Sequence, residues 1–238
     1  RIMSYDAFRG FLSCIHVEGV DPTDSSFNEG KTQENPTWKV HWLFENFNRK
    51  WRALVVFGRF LSGDEAMIPS KVRHILKQYI KGKPHKFGFK LYMLADPASE
   101  MCLHISLHDG TGRTLVSIVS KMVPSSFHRP GTVIILDNFY TTLAVVRYLQ
   151  QKGLHVIGTV RHNRIMSKKE GAWALPKSAA RGTMKVIVEK DGKGAPTGIR
   201  AVSWSDKRIV NMVTTLPIHK VSILRRGNVT VSCPILSL

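Results

Sequence analysis

The chain has 238 residues, of which 43% are hydrophobic and 9% aromatic, enough for one sizeable globular core. Its 35 Lys and Arg outnumber its 17 Asp and Glu, and the resulting formal net charge of +18 favours an anionic partner such as nucleic acid. No apolar run long enough to span a membrane and no secretory signal are visible, and three widely spaced Cys form neither a zinc pattern nor a disulfide framework.

The first 55 residues predict a small helical annex. Apolar residues recur at helical intervals over 2–15 and again from Trp38 to Leu54, with a polar loop over 21–36 between the two segments. We therefore expect residues 1–55 to pack as helices beside a separate core.

Residues 56–218 predict a core in which strands and helices alternate. The expected elements are strands over 57–68, 87–94 and 101–107, a helix over 115–123, a strand over 133–136, a helix from 143 that ends at Lys152-Gly153, and a strand over 155–160. An inserted β element near 183–215 turns at Asp191 and again near Asp206, and residues 219–238 form a tail without an assignable pattern. This order is typical of a ribonuclease-H-like mixed α/β sheet, in which the first and fourth of these strands lie side by side.

Two aspartates stand at the end of apolar, strand-like runs. They are Asp64 and Asp137. A carboxylate at the tip of a buried strand is costly unless a cation lies beside it. A Lys or Arg could serve, but two such aspartates on adjacent strands also indicate a shared divalent metal. Glu65 is expected to point to the opposite face, because neighbouring residues of a strand alternate.

Basic side chains cluster in the sequence near both aspartates. They are Lys77, Lys81, Lys83, Lys86 and Lys90 after the first aspartate, and Arg161 and Arg164 after the strand over 155–160. An ordinary solvated face is one interpretation. Because few acidic residues balance these charges, we favour contacts with DNA phosphates, which give strongly salt-dependent affinity and little sequence discrimination.

Several sequence blocks in register resemble the piggyBac family of transposases. They are LSGDEAMIP at 61–69, KQYIKGKPHKFGFK at 77–90, LDNFYTT at 136–142, GTVRHNR at 158–164, and SWSDKR with VNM at 203–212. Their order and approximate spacing hold over nearly the whole chain, which makes the resemblance far more specific than a single motif would be.

The resemblance implies a ribonuclease-H-like catalytic core that cleaves and joins DNA strands with two metal ions, and Asp64 and Asp137 match the first two of the family's three catalytic, metal-binding aspartates. Mg²⁺ is the implied cofactor, because it takes hard oxygen ligands. DNA is the implied partner and the nucleus the implied location, with a homodimer as a further hypothesis and neither a membrane nor a small-molecule substrate expected.

The sequence departs from the family pattern at the third aspartate. No acidic residue follows Asp206, and Asp206 itself belongs to a Trp-x-Asp element that we interpret as a β-turn. Two hypotheses therefore stand. The chain is either a piggyBac-like transposase core with an incomplete set of catalytic carboxylates, or a domesticated or decayed transposase-derived protein that binds DNA without cleaving it.

Overall fold

A computed structural model describes the chain from residue 37 onwards. The described residues are 37–82, 85–110, 114–161, 164–165, 173–226 and 229–236, with only the backbone described for 38, 39, 219–226 and 229–236. The helix expected over 2–15 lies outside these residues. The chain divides into two compact units, residues 1–124 and 125–238.

The first unit is an antiparallel sheet with helices. Its elements are α1 (Trp38–Leu54), β1 (Phe60–Pro69), β2 (Gln78–Tyr79), β3 (Phe87–Asp96), β4 (Met101–Leu107) and α2 (Leu115–Met122). β3 is central, since β1 pairs with one of its edges, and β2 and β4 pair with the other. The strands and helices predicted within the described part of this unit are present within a few residues of their expected bounds, and β2 is an additional short strand.

Helix α1 covers one face of this sheet. Phe47 and Trp51 are four residues apart, so they lie on the same side of the helix, and their rings stack at 5.7 Å between centroids. Both side chains are buried against Leu91, Met93 and other apolar residues of the sheet. Burial of large aromatic side chains is the main force that fixes the helix here, at roughly 1.5–3 kcal/mol for each fully buried side chain.

The amide side chain of Asn48 joins α1 to β4. Its Oδ1 accepts a hydrogen bond from the Ile105 N–H at 2.9 Å, and its Nδ2 donates to the Ile105 carbonyl oxygen at 2.9 Å. Asn48 is only 1% exposed. One buried amide thus gives one residue of β4 the two backbone hydrogen bonds that a neighbouring strand would otherwise supply.

The end of β3 is fixed by a buried carboxylate. Asp96 accepts hydrogen bonds from the N–H groups of Gly58 and Ala98 and from the hydroxyl of Ser99, at 3.0–3.1 Å. Burial by itself raises the pKa of Asp96, but the hydrogen bonds from Ala98, Gly58 and Ser99 outweigh it, and the pKa lies below its usual value.

The second unit is a mixed sheet with one helical crossover between two parallel strands. Its elements are a 3-10 turn (Ser125–Phe127), β5 (Val133–Leu136), α3 (Leu143–Gln151), β6 (His155–Thr159), β7 (Met184–Lys190), β8 (Pro196–Ser205), β9 (Ile209–Thr214), β10 (Ile218–Arg226) and β11 (Val229–Leu236). β5 and β6 are parallel and joined by α3, whose first turn is capped by the Thr142 hydroxyl, and β9, β8 and β7 follow β6 in antiparallel order.

The β element expected near 183–215 is present as β7, β8 and β9, with the predicted turns at Asp191 and Asp206. It continues the sheet of the second unit through the pairing of β9 with β6. β10 and β11 form a hairpin where the sequence carried no assignable pattern. Of the helices in the described part of the chain, none has the length and apolar character needed to cross a bilayer.

Replacement of Asn48 by Ala is expected to lower the free energy of unfolding by about 2–4 kcal/mol, because it leaves a buried N–H and a buried C=O of Ile105 without partners. Urea titration measures the change. Asn46→Ala is the matched control, since Asn46 lies on the same helix, is only half-buried and bonds within that helix. Equal losses in the two variants would contradict this role for Asn48.

The stabilising effect of Asp96 is expected to depend on pH. Its folded pKa is below the unfolded value of about 3.9, so its contribution is present above that pH and is lost as the pH falls through the folded pKa. Asp96→Asn should therefore be less stable than the parent chain near pH 7, and the difference should narrow below about pH 4. Unfolding curves over this range, with the exposed Glu100→Gln as control, measure the effect; a pH-independent difference would contradict it.

Candidate functional site

Asp64 lies inside a strand. It is the fifth residue of the ten-residue β1, and pairing with β3 continues past it from Glu65 to Pro69. The expected strand through this position is confirmed, but the hypothesis that Asp64 stands at a strand tip is wrong. The apolar character of the residues after Asp64 keeps them in the sheet.

The Asp64 side chain is half-buried on the face of the sheet that α1 covers. Asp64 is directly opposite Met93 of β3, and directly opposed residues of antiparallel strands share a face. Its Oδ1 accepts a hydrogen bond from the Glu65 N–H at 2.8 Å.

Glu65 lies on the other face, as expected. It is opposite Tyr92, and its charge is one of the causes that raise the pKa of Tyr92, after burial and the charge of Asp109. Tyr92 in turn hydrogen-bonds to Nδ1 of His108 at 3.1 Å. Glu65 therefore belongs to a cluster of polar side chains on the face of the sheet opposite to the one that carries Asp64.

Asp137 follows β5 directly and is held in a tight turn. Its Oδ1 accepts hydrogen bonds from the N–H groups of Phe139 at 2.9 Å and Tyr140 at 3.2 Å. The Asp137 carbonyl oxygen accepts from the N–H and the hydroxyl of Thr141, at 3.1 and 2.7 Å. The carboxylate is exposed, and among the described residues no hydrogen bond reaches its Oδ2. The turn thus orients one carboxylate oxygen and leaves the other open to a ligand.

A glycine allows this turn to pack on the sheet. Gly158 of β6 is beside Leu136 in the parallel pairing, and a Cβ at this position would lie 2.2 Å from Oγ1 and 2.7 Å from Cγ2 of Thr141. Thr141 is fully buried. The missing side chain at position 158 therefore sets the position of Thr141 and, through its two hydrogen bonds, the position of Asp137.

Arg164 braces the same turn. Its Nη1 donates to the carbonyl oxygens of Asn138 at 2.9 Å and Phe139 at 2.6 Å. The sequence analysis interpreted Arg164 only as a phosphate contact. The positioning role was not visible in the sequence, because it depends on how the chain returns after β6.

The other basic residues of the predicted cluster do not share one surface. Lys77 lies over the ring of Phe87 at 5.7 Å, and Lys90 over the ring of Tyr92 at 5.2 Å. Because Phe87 and Tyr92 are five positions apart on β3, they face opposite sides of the sheet. Lys81, Lys86 and Arg161 are exposed, and Lys83 lies outside the described residues.

The carboxylates offer hard oxygen ligands, which suit a cation such as Mg²⁺. Within the part of the chain that the structure describes, no group of three or more His, Cys, Asp and Glu side chains is arranged to hold a metal. Asp64 and Asp137 belong to different units, and their expected proximity stays a prediction.

The Oδ1 of Asp206 accepts two hydrogen bonds from Arg181, at 3.0 and 2.7 Å, next to the predicted turn.

Comparison with known proteins shows the family to which the chain belongs. A family model described as "Transposase IS4" matches residues 1–228. The human "PiggyBac transposable element-derived protein 3" is 27% identical over 242 residues, which cover 94% of this chain and 37% of that protein. The human "Chimeric ERCC6-PGBD3 protein" is also 27% identical over 242 residues, which cover 94% of this chain and 21% of that protein. The chain thus spans well under half the length of these relatives.

A solved structure shares the fold. The cryo-EM structure of a piggyBac transposase synaptic complex with hairpin DNA matches with a TM-score of 0.66 and 21% identity, over 94% of this chain and 45% of that chain. The expected ribonuclease-H-like α/β fold class is confirmed by this match.

Replacement of Gly158 by Ala is expected to destabilise the chain by about 1–3 kcal/mol, since the new methyl group overlaps Thr141. Thr141→Ala in the same chain should recover part of the loss, because it removes the two nearest clashing atoms. Gly192→Ala is the control, as a Cβ there meets nothing within 4 Å. Urea unfolding of Gly158→Ala, of Thr141→Ala alone, of the double variant and of the control measures the coupling between the two positions. Losses of stability that simply add in the double variant would contradict the contact.

Proposed function

The chain belongs to the Transposase IS4 family and is a transposase-derived domain related to piggyBac transposase, and on this premise we propose that it binds DNA and that Asp64 and Asp137 serve in strand cleavage and transfer. The observation that carries the proposal is the Asp137 turn. A buried strand, two backbone N–H groups and Arg164 hold one exposed carboxylate in a fixed orientation with an oxygen left for a ligand.

Mg²⁺ is the proposed cofactor, with Asp64 and Asp137 as the protein ligands. Mg²⁺ is commonly bound by one or two carboxylates together with waters and substrate phosphates, and the two aspartates would supply the carboxylates of such a site. When bound, two such ions supply an activated water or 3′-hydroxyl and stabilise the leaving oxygen of a DNA strand. The chain's own residues fix the direction of each carboxylate.

Basic side chains on both units are the proposed phosphate contacts. Lys81 and Lys86 in the first unit and Arg161 in the second are exposed, and Arg164 is half-buried with Nη1 already bound to backbone carbonyl oxygens. A net charge of +18 supports attraction to a polyanion. From the proposed DNA substrate we further propose a nuclear location, and we propose assembly as a homodimer.

The proposed role of the aspartates is tested by nicking of supercoiled plasmid in Mg²⁺. Asp64→Asn and Asp137→Asn keep the size and the hydrogen-bond acceptor oxygen of each side chain but remove its charge. Each variant is expected to reduce nicking by about 100-fold or more. Asp191→Asn, in an exposed turn, is the matched control and should retain full activity.

Binding and cleavage are measured separately. DNA affinity of the parent chain should fall steeply with salt, and Lys81→Ala or Lys86→Ala should each reduce the slope of log K against log salt by about 0.9 for duplex DNA. DNA binding without any Mg²⁺-dependent nicking would favour the second hypothesis, a DNA-binding protein that does not cleave. Absence of binding even at low salt would overturn the proposal as a whole.

A further inference from the structure

Two aromatic side chains are exposed side by side on the β2–β3 hairpin. Tyr79 and Phe87 are directly opposite each other, with ring centroids 4.9 Å apart and ring planes tilted by 51°. Each is 55% exposed to solvent. Large aromatic rings this exposed lose favourable burial, so a pair of them on a paired strand indicates a binding surface.

The stretch of sequence that carries this pair is strongly basic. Between Glu65 and Asp96 the sequence contains seven Lys and Arg and no acidic residue. Lys77 lies over the Phe87 ring, and Lys81 and Lys86 are exposed on the loop that joins the two strands. An occupant of this surface must therefore be anionic and must present flat apolar groups to the rings.

The hairpin holds the rings in place. The Ile80 N–H donates to the Lys86 carbonyl oxygen at 2.9 Å, which extends the pairing by one step beyond the two rings. At the other end, the backbone of Gly88 is so close to β1 that a Cβ there would lie 2.1 Å from the Ile68 carbonyl oxygen. The aromatic pair is thus presented by a fixed element.

The aromatic pair is distinct from the Asp64 position. Phe87 and Met93, the residue opposite Asp64, share one face of β3 and are six residues apart, about 20 Å along the strand. Leu91, which packs against the aromatic residues of α1, lies between them on the same face.

We propose that Tyr79 and Phe87 form a stacking site for unpaired bases of a DNA strand, whose phosphates Lys77, Lys81 and Lys86 contact. Every base has a flat π-face that can stack on an aromatic ring, and in a duplex these faces are already covered by neighbouring base pairs. The rings therefore select single-stranded over duplex DNA, while the lysines bind both. This inference rests on the proposed DNA-binding function and assigns to it a second site.

The test compares a fluorescein-labelled single-stranded oligonucleotide with a duplex of the same length, by anisotropy with the 238-residue chain. Tyr79→Ala and Phe87→Ala are expected to weaken single-strand binding by about 5- to 100-fold and duplex binding by less than about 2-fold. Phe87→Tyr should retain binding, whereas Phe87→Leu, which keeps an apolar side chain without a flat ring, should lose it. Phe60→Ala, a 40% exposed aromatic elsewhere in the first unit, is the matched control.

A base analogue gives an independent readout. The fluorescence of 2-aminopurine in the single strand should be quenched on binding to the parent chain and not on binding to Phe87→Ala, because stacking quenches it. Poly-glutamate is a polyanion without bases, so its binding separates attraction to the lysines from stacking on the rings. If the aromatic variants lose affinity for poly-glutamate and for the single strand to the same extent, the inference is overturned.

The remaining outcomes separate the two proposals. If the parent chain binds duplex and single strand and the aromatic variants lose neither, or lose both equally, the stacking site is wrong and the DNA-binding function stands. If the parent chain binds neither nucleic acid, both proposals fail. Thermal unfolding of each variant checks that the hairpin substitutions leave the fold intact, and the Phe87→Tyr and Phe87→Leu pair keeps the comparison valid if one truncation unfolds.

Discussion

The contact of Gly158 with Thr141 is the constraint on which the candidate site depends. Thr141 fits against β6 only because position 158 has no side chain, and its N–H and hydroxyl hold the carbonyl oxygen of Asp137. The N–H groups of Phe139 and Tyr140 in the same short turn donate to the Asp137 carboxylate. Arg164 donates to the backbone carbonyl oxygens of Asn138 and Phe139. The buried contact between Gly158 and Thr141 thereby fixes the direction of the exposed Asp137 carboxylate.

The first unit depends on a different kind of restraint. Its sheet is built around β3, and the aromatic residues of α1 cover the face that also carries Asp64. Apolar contact alone would allow α1 to slide, whereas the two hydrogen bonds between Asn48 and Ile105 require one register. The position of α1 on this face of the sheet is thus fixed by one buried amide as well as by burial of apolar surface.

The acidic and basic side chains have different environments in this structure. The carboxylates that stabilise structure, such as Asp96 and Asp206, are bonded to N–H groups or to Arg181, while Asp137 keeps an open oxygen. The basic residues, in contrast, are mostly exposed, and around Tyr79 and Phe87 no acidic residue in the sequence from 66 to 95 balances them. This separation suits a protein that works on a polyanion.

The sequence by itself determined the fold class and most element boundaries, because apolar periodicity and the family-like blocks are local properties. The same blocks predict Asp64 and Asp137 as the candidate site residues. β5, for example, was found at 133–136 from four apolar residues alone. Only the tertiary structure decided that β1 stays paired with β3 from Glu65 to Pro69, that Lys77 and Lys90 face opposite sides, and that Arg164 braces the Asp137 turn. Such facts depend on register and on contacts between residues distant in sequence, as with the 57 positions from Asn48 to Ile105, which no local pattern encodes.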